Sequence, residues 1–221
     1  MSHYGLHWEW RGFGRLTHEA HAHFDTLKPR YPDAERVTDE YLWVPGCKIN
    51  VKLRSKGTGS LKFKRCHRVD GELHAELWLE DEAEEYALPV DPRVALLLAK
   101  SLGVAIPKPN GPSDRSALLS AFGAEGARVV RVEKIRRQYN LVEHGVNLIA
   151  EHAQLLSPES LDSVAIESEA DLNDQSSSDD VMKAGRSVAA ARDRLPFAGT
   201  LRHLNYLEAL AVWAGGHRVS E

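Results

Sequence analysis

Polar and apolar side chains alternate along much of this 221-residue chain with a period of two residues. Successive side chains of a β-strand point to opposite faces, so this period predicts strands that each have one covered face. The strand segments are residues 6–13, 38–44, 49–54, 60–65, 72–81, 127–141, 146–155 and 163–172. Strands this numerous, with alternating faces, predict an antiparallel sheet that is curled or closed on itself.

Charged residues of one sign occupy the polar positions of several strands. The hairpin "INVKLRSKGTGSLKFKR" (49–65) has Lys and Arg on one face of both strands and Val, Leu and Phe on the other. "VEKIRRQY" repeats this with Lys134 and Arg136, and "AIESEAD" places Glu167 and Glu169 on a shared face with Asp171. Such a face is either solvated or enclosed in a closed sheet that holds a charged ligand. Periodicity alone leaves both interpretations open.

Four segments predict helices, at residues 91–103, 113–123, 177–195 and 203–216. The first begins with Asp-Pro and ends at Gly103, and the second has Ser113 as its expected N-cap. The third opens with acids and closes with arginines, as the helix dipole favours. No segment resembles a long linker. We therefore expect one domain over residues 1–221, with a helical insertion at about 92–123 and C-terminal helices at about 178–215.

The composition narrows the function classes. The formal net charge is −4, so there is no overall basic field to attract DNA or a membrane, and any anion site needs a local concentration of cations. Two cysteines, Cys47 and Cys66, are too few for a disulfide scaffold or a cysteine-rich zinc site. No secretory signal and no membrane-spanning stretch is seen in the sequence, so we expect a cytoplasmic protein.

The order of the charged motifs resembles that of the CYTH domain proteins, also called triphosphate tunnel metalloenzymes. "VKLRSKG" and "LKFK" are similar to the family's two-cation strand, glycine turn and L-x-x-K strand. "EKIR" matches its E-K-x-R strand, "LIAEHAQ" carries the single acid before the last strand, and "IESE" matches its late E-x-E. "NYLEAL" is similar to its closing helix. The resemblance spans roughly residues 7–210.

The resemblance implies an α+β fold: a closed antiparallel β-barrel, or tunnel, with a charged lumen and peripheral helices. It also implies metal-dependent hydrolysis of inorganic triphosphate or a small organic triphosphate, the expected partner. The implied catalytic cations are Lys52, Arg54, Lys64, Lys134 and Arg136, and Arg11 and Lys62 join them in binding the substrate. The implied ligands of Mg²⁺ or Mn²⁺ are Glu9, Glu76, Glu151, Glu167 and Glu169.

Two positions depart from the family pattern. His7, in "HWEWR", stands where the family has a carboxylate, and Trp78, in "AELWLED", replaces another. Because hard cations prefer anionic oxygen ligands, these changes favour an alternative: a non-catalytic polyphosphate- or phosphoanion-binding module with a degenerate metal site. Adenylate cyclase activity, which also occurs in the family, is a further alternative. So is an open sheet with solvated charges and a protein-interaction role. A homodimer is left open.

Two polar segments are expected to carry no functional site. "HEAHAHF" holds His18, His21 and His23, but without the i, i+4 spacing of a helical metal pair. We expect it to be solvated, with adventitious transition-metal binding as the alternative. "EDEAEE" (80–85) is expected to be a solvated acidic loop or strand end rather than a metal site.

Overall fold

The computed structural model describes residues 4–54, 59–81, 85–169, 172–173 and 175–221. The predicted hairpin turn at 55–58, positions 82–84 of the acidic segment and Asp171 lie outside the described residues. The strands are β1 (Tyr4–Gly14), β2 (Glu35–Trp43), β3 (Ile49–Arg54), β4 (Ser60–Asp70), β5 (Ala75–Asp81), β6 (Tyr86–Ala87), β7 (Arg128–Glu143), β8 (Val146–Ser157), β9 (Leu161–Ser168) and β10 (Arg202–His203). The α-helices are α1 (His18–Asp25), α2 (Pro92–Leu102), α3 (Arg115–Ala124), α4 (Ser178–Asp193) and α5 (Tyr206–Ala214).

Eight of the strands form a hydrogen-bonded ring. Their order is β1-β5-β4-β3-β2-β7-β8-β9, and the pairing of β9 with β1 closes it. The N-terminal half of β1 pairs with β5 and its C-terminal half with β9, so Glu9 lies opposite both Glu76 and Glu167. The predicted α+β fold with a large antiparallel sheet is confirmed.

Helices cover the outer face of the ring on two sides. On one side α1 and α4 pack over β1, β5, β8 and β9 around a cluster that includes Trp8, Trp10, Phe24, Val164 and Val188. On the other side α2 and α3 pack over β2, β3 and β4, around Val51, Leu53, Leu61, Leu98 and Phe122. Burial of these apolar faces fixes which face of each strand points into the ring.

The interior of the ring has two halves. In the apolar half, α5 packs against inward-pointing side chains of the strands; this buried cluster includes Phe13, Tyr41, Trp78, Val132, Leu155, Leu161, Leu210 and Trp213. The charged half is described below as the candidate site. A capping box at Asn205 and Glu208 begins α5, because each side chain accepts a hydrogen bond from the other residue's backbone N–H.

One helix was not predicted. Residues 18–24, expected to be a solvated segment, form most of α1 instead. Thr17 caps it by accepting a hydrogen bond from the backbone N–H of Ala20, and Ala20 and Phe24, four residues apart, are buried. The two apolar side chains anchor an otherwise polar helix to the outside of the ring.

Two further local predictions were wrong. Residues 72–74, expected to begin β5, form a turn, because Asp70 Oδ1 accepts hydrogen bonds from the backbone N–H groups of Glu72 and Leu73. The N-cap of α3 is Asp114 rather than Ser113, which pairs with Val90 in an isolated β-bridge. None of the described helices has the length and apolar character that a membrane crossing requires.

Candidate functional site

The charged half of the ring encloses a cavity of about 260 Å³. Seven basic side chains line it: Arg11, Lys52, Arg54, Lys62, Lys64, Lys134 and Arg136. Four carboxylates line it as well: Glu9, Glu80, Glu151 and Glu167. The remaining lining residues are Tyr41, Asn50, Gln138 and Tyr206. Cations therefore outnumber anions around one enclosed space.

The hairpin of β3 and β4 shows how the sequence produces this lining. Lys52 lies directly opposite Lys62, and both line the cavity. The alternate positions Val51 and Leu53 are fully buried in the outer cluster under α2 and α3. Because the apolar face is covered from outside, the like charges must point inward.

Burial excludes the solvated interpretation for the central residues. Glu9 is 2% exposed, Arg11 5%, Lys134 4% and Glu151 4%. Charges removed from water to this extent are costly unless they are paired, so their partners decide what the cavity can bind.

Arg11 is at the centre of the carboxylates. Its Nε donates a hydrogen bond to Glu9 Oε1 at 2.8 Å, and its Nη1 and Nη2 lie 3.6 Å from carboxylate oxygens of Glu151 and Glu167. Burial disfavours the charged guanidinium, but Glu9, Glu151 and Glu167 outweigh that effect and raise the pKa of Arg11. Arg11 is therefore a fixed positive charge held by three of the predicted metal ligands.

Lys64 occupies the other side of Glu9. Its Nζ donates to Glu9 Oε2 at 2.6 Å, lies 3.3 Å from His7 Nε2 and is 4.6 Å from the centre of the Trp78 ring. Burial raises the pKa of Glu9, but Lys64 and Arg11 prevail and hold it well below its usual range. Burial likewise opposes the charge of Lys64, yet Glu9 keeps its pKa raised.

Glu151 is the carboxylate of the β7–β8 side. Lys134 Nζ lies 3.6 Å from its Oε1, and Arg136 Nη1 donates to its Oε2 at 3.3 Å. Burial opposes ionisation, but Lys134, Arg11 and Arg136 lower the pKa of Glu151. Its Oε1 is buried and accepts no hydrogen bond within the described ranges. That oxygen lies 3.6 Å from both Arg11 Nη1 and Lys134 Nζ.

Lys52 is the exception among the cations. Burial lowers the pKa of its ammonium group to about 7; Asp39, 3.9 Å away, opposes this, and Lys134 and Arg54 add to it. Lys52 therefore exchanges its proton near neutral pH, whereas Lys64 and Lys134 stay charged.

Two predicted metal ligands lie away from the cavity lining. Glu76 shares the inward face of β5 but is beside His203, 3.5 Å from its Nε2, and burial raises its pKa. Glu169 follows the end of β9 and pairs with Arg30 at 2.6 Å. The predicted cations and the other predicted acids all line the cavity.

Glu80 is a lining residue that the sequence interpretation missed, because the acidic segment 80–85 was expected to be solvated. It accepts a hydrogen bond from Lys62 at 3.0 Å. Burial opposes ionisation, but His7, Lys64 and Lys62 lower the pKa of Glu80 to about 2. The two-residue period of β5 could have identified Glu80, because it shares one face of the strand with Glu76 and Trp78.

Three of the lining carboxylates have the chemistry of ligands for a hard divalent cation. Carboxylate oxygens are the donors that Mg²⁺ and Mn²⁺ prefer, and Mg²⁺ sites are commonly completed by phosphate oxygens and water. Glu9 and Glu167 are cross-strand partners, and Glu151 presents an oxygen without a hydrogen bond from any described residue. Arg11 contacts all three, so an ion that these carboxylates held together with a bound phosphate would have to displace Arg11.

No protein-family model and no curated protein matches the chain. Among solved structures, it is similar to a conserved hypothetical protein from Pyrococcus furiosus, with 20% identity, a TM-score of 0.49, and 90% of this chain and 98% of that one covered. A protein from Pyrococcus horikoshii OT3 has 18% identity and a TM-score of 0.48, with 90% and 98% covered. A candidate adenylate cyclase from Bacillus halodurans has 10% identity and a TM-score of 0.42, with 91% and 94% covered. The function is therefore inferred from the residues themselves.

Proposed function

We propose that this protein hydrolyses a triphosphate compound, inorganic triphosphate or a small organic triphosphate, in a metal-dependent reaction inside a closed β-barrel tunnel. The observation that carries the proposal is the imbalance of charge in one cavity, where seven basic side chains face four carboxylates. A triphosphate supplies several negative charges along a short chain, and charge-assisted hydrogen bonds to lysine and arginine are the strong kind.

The cations surround the cavity instead of lining one wall. They come from β1, β3, β4 and β7, and each is fixed by the register of its strand. Because phosphoryl transfer depends on positioning and on neutralising charge, side chains held on strands suit it better than side chains on mobile loops.

The catalytic cations in this proposal are Lys52, Arg54, Lys64, Lys134 and Arg136, which bind the phosphates and stabilise the charge that develops on the leaving group. Arg11 and Lys62 complete the binding set. Glu9, Glu151 and Glu167 are the ligands for Mg²⁺ or Mn²⁺, an ion that would supply further charge neutralisation at the phosphate oxygens.

A second candidate function is a phosphoanion-binding module without turnover. It is favoured because all four lining carboxylates already contact cations, and Arg11 alone contacts three of them. Competition between Arg11 and a metal ion for the same oxygens weakens metal binding. Adenylate cyclase activity is a third candidate, tested by supplying ATP and measuring the cyclic product.

Binding tests the tunnel hypothesis. We expect Lys134→Met with Arg136→Met to lower triphosphate affinity at least about 100-fold, since hydrogen bonds to charged groups contribute roughly 1.5–3 kcal/mol each. Arg131 and Arg137 are the matched control, because they are exposed positions of the same strand. Calorimetry should show little change for Arg131→Met with Arg137→Met. Equal affinity in both double variants would contradict both the triphosphatase and the phosphoanion-binding hypotheses.

Turnover separates the enzyme from the binding module. We expect phosphate release from triphosphate with Mn²⁺, and its loss in Glu167→Gln. Glu133→Gln is the control, because Glu133 pairs with Arg36 and does not line the cavity. Tight binding without phosphate release under any divalent ion would leave the binding module.

A further inference from the structure

A group of side chains of the types that ligate metals lies outside the ring, beneath α1. His21 comes from α1, His152 from β8 and Asp162 from β9. One ligand atom of each lies within 4.8 Å of the others. Three elements distant in sequence thus bring two imidazoles and a carboxylate together.

The group is separated from the cavity by the sheet itself. Glu151 points into the ring and its neighbour His152 points outward. Ser163 accepts a hydrogen bond from Arg11 inside the ring, whereas its neighbour Asp162 contacts the segment before α1. An ion held here would not share a ligand with the cavity.

The distances bracket those of a coordinated ion. His152 Nε2 lies 2.9 Å from Asp162 Oδ1, and His21 Nε2 lies 3.8 Å from Asp162 Oδ2. In a tetrahedral site with bonds of about 2.1 Å, ligand atoms are roughly 3.4 Å apart. The two distances are to different oxygens of Asp162, and one ligand atom of each residue lies within 4.8 Å of the others, so modest side-chain rotations would bring the three to that spacing.

Neighbouring groups hold the ligands in place. Asp162 Oδ2 accepts a hydrogen bond from the backbone N–H of Leu16 at 3.0 Å. The His152 ring stacks on buried Phe24, with centroids 4.7 Å apart, and the His21 ring meets it edge-on at 5.1 Å. Burial opposes ionisation of Asp162, but its hydrogen bonds with His152 and Leu16 lower its pKa, so it is an anionic ligand.

A purely structural hydrogen-bond cluster explains only part of this arrangement. His152 and Leu16 are enough to satisfy Asp162. They do not account for His21, whose Nε2 is too far from Asp162 for a hydrogen bond. Its side chain is 42% exposed, against 14% for His152, so the ring is directed at the other two from the solvent side.

We propose that His21, His152 and Asp162 form a binding site for a transition-metal ion of the Zn²⁺ class, with a fourth position open to water. Two imidazoles and one carboxylate are typical zinc ligands, whereas Mg²⁺ prefers an all-oxygen set. On binding, the ion takes the place of the Nε2 proton of His152, which passes to solvent water, and the ring keeps its proton on Nδ1. Its role is to fasten α1 to the β8–β9 hairpin.

The test is Zn²⁺ binding to the full chain after removal of metals with a chelator. Calorimetry should detect binding that His21→Ala weakens more than the roughly 10–100-fold caused by loss of an outer-shell partner. His18→Ala is the matched control, since His18 is an exposed histidine of the same helix. Co²⁺ should give visible absorption typical of tetrahedral nitrogen and oxygen ligation in the His18→Ala variant but not in His21→Ala.

Two further variants keep the result interpretable. Asp162→Asn retains an oxygen for the Leu16 N–H but loses the charge, and it should also lose Zn²⁺ binding. Glu167→Gln should retain it, because Glu167 lies in the cavity. The proposal is overturned if the wild type binds no Zn²⁺, if His18→Ala and His21→Ala lose it equally, or if Glu167→Gln is the variant that abolishes it.

Discussion

Triphosphate binding at pH 8 should be accompanied by proton uptake, and Lys52 should be the group that takes the proton. Its ammonium group, with a pKa of about 7, is the lining cation that burial and neighbouring cations leave mostly neutral at that pH. A polyanion in the cavity favours the charged form and so raises this pKa.

The size of the effect follows from linkage. A group with a pKa of about 7 is only about one-tenth protonated at pH 8, and return of its pKa towards ~10.4 in the complex takes up about 0.9 proton. Triphosphate affinity should therefore fall as the pH rises above 7, by up to about tenfold per pH unit, because binding requires Lys52 to take up a proton. Below pH 7 this contribution disappears.

The assay is calorimetry at pH 8 in two buffers of different ionisation enthalpy. The number of protons taken up on binding should be lower by about 0.9 in Lys52→Met than in the wild type. Lys62→Met is the control: it removes the cross-strand cation, so it should lower affinity yet keep the uptake. Protonation of the triphosphate itself is common to all three proteins. Identical uptake in the wild type and Lys52→Met would refute the assignment.

Two other predictions concern the first strand and its cover. His7→Glu, next to Glu9, should raise Mn²⁺-dependent phosphate release about tenfold by adding an anionic ligand, and unchanged release would show that His7 does not limit metal binding. Gly185→Ala should destabilise the protein by about 1–3 kcal/mol in chemical denaturation despite better helix propensity, because the added Cβ would lie 2.9 Å from the Trp8 ring. Gly123→Ala, with open space around it, should instead stabilise by up to about 1 kcal/mol, and an equal effect at both glycines would contradict this packing argument.

The strands could be predicted from a period of two, but this period left open whether the charged faces were solvated or enclosed; the cavity was predicted only from the resemblance in motif order. Once one face of a strand is apolar and covered, the alternate positions are assigned to the other face without knowledge of the partner strands. Lys134 and Arg136 are examples, and both line the cavity. The pairing of each carboxylate could not be predicted, since the contact of Arg11 with Glu151 depends on ring closure between β1 and β9.

The outer histidine site could not be predicted for a related reason. His21 belongs to a helix with only two buried apolar residues, which leaves little periodic signal, although Thr17 is a suitable N-cap and Ala20 and Phe24 have helical spacing. Its partners lie more than a hundred residues away in sequence. No sequence pattern near His21 indicates that it contacts a carboxylate so distant in sequence.

The packing of α5 into one end of the ring affects how a ligand can enter and leave the cavity. Within the described part of the chain, α5 fills the apolar end of the ring and its Tyr206 lines the cavity, so α5 lies across the path from that end to the charged half. If the proposed hydrolysis takes place there, substrate and products would share the end that α5 does not fill, and the products would have to leave before the next substrate molecule binds. Under the same proposal, a longer polyphosphate would be shortened stepwise from its terminus and would not be cleaved internally.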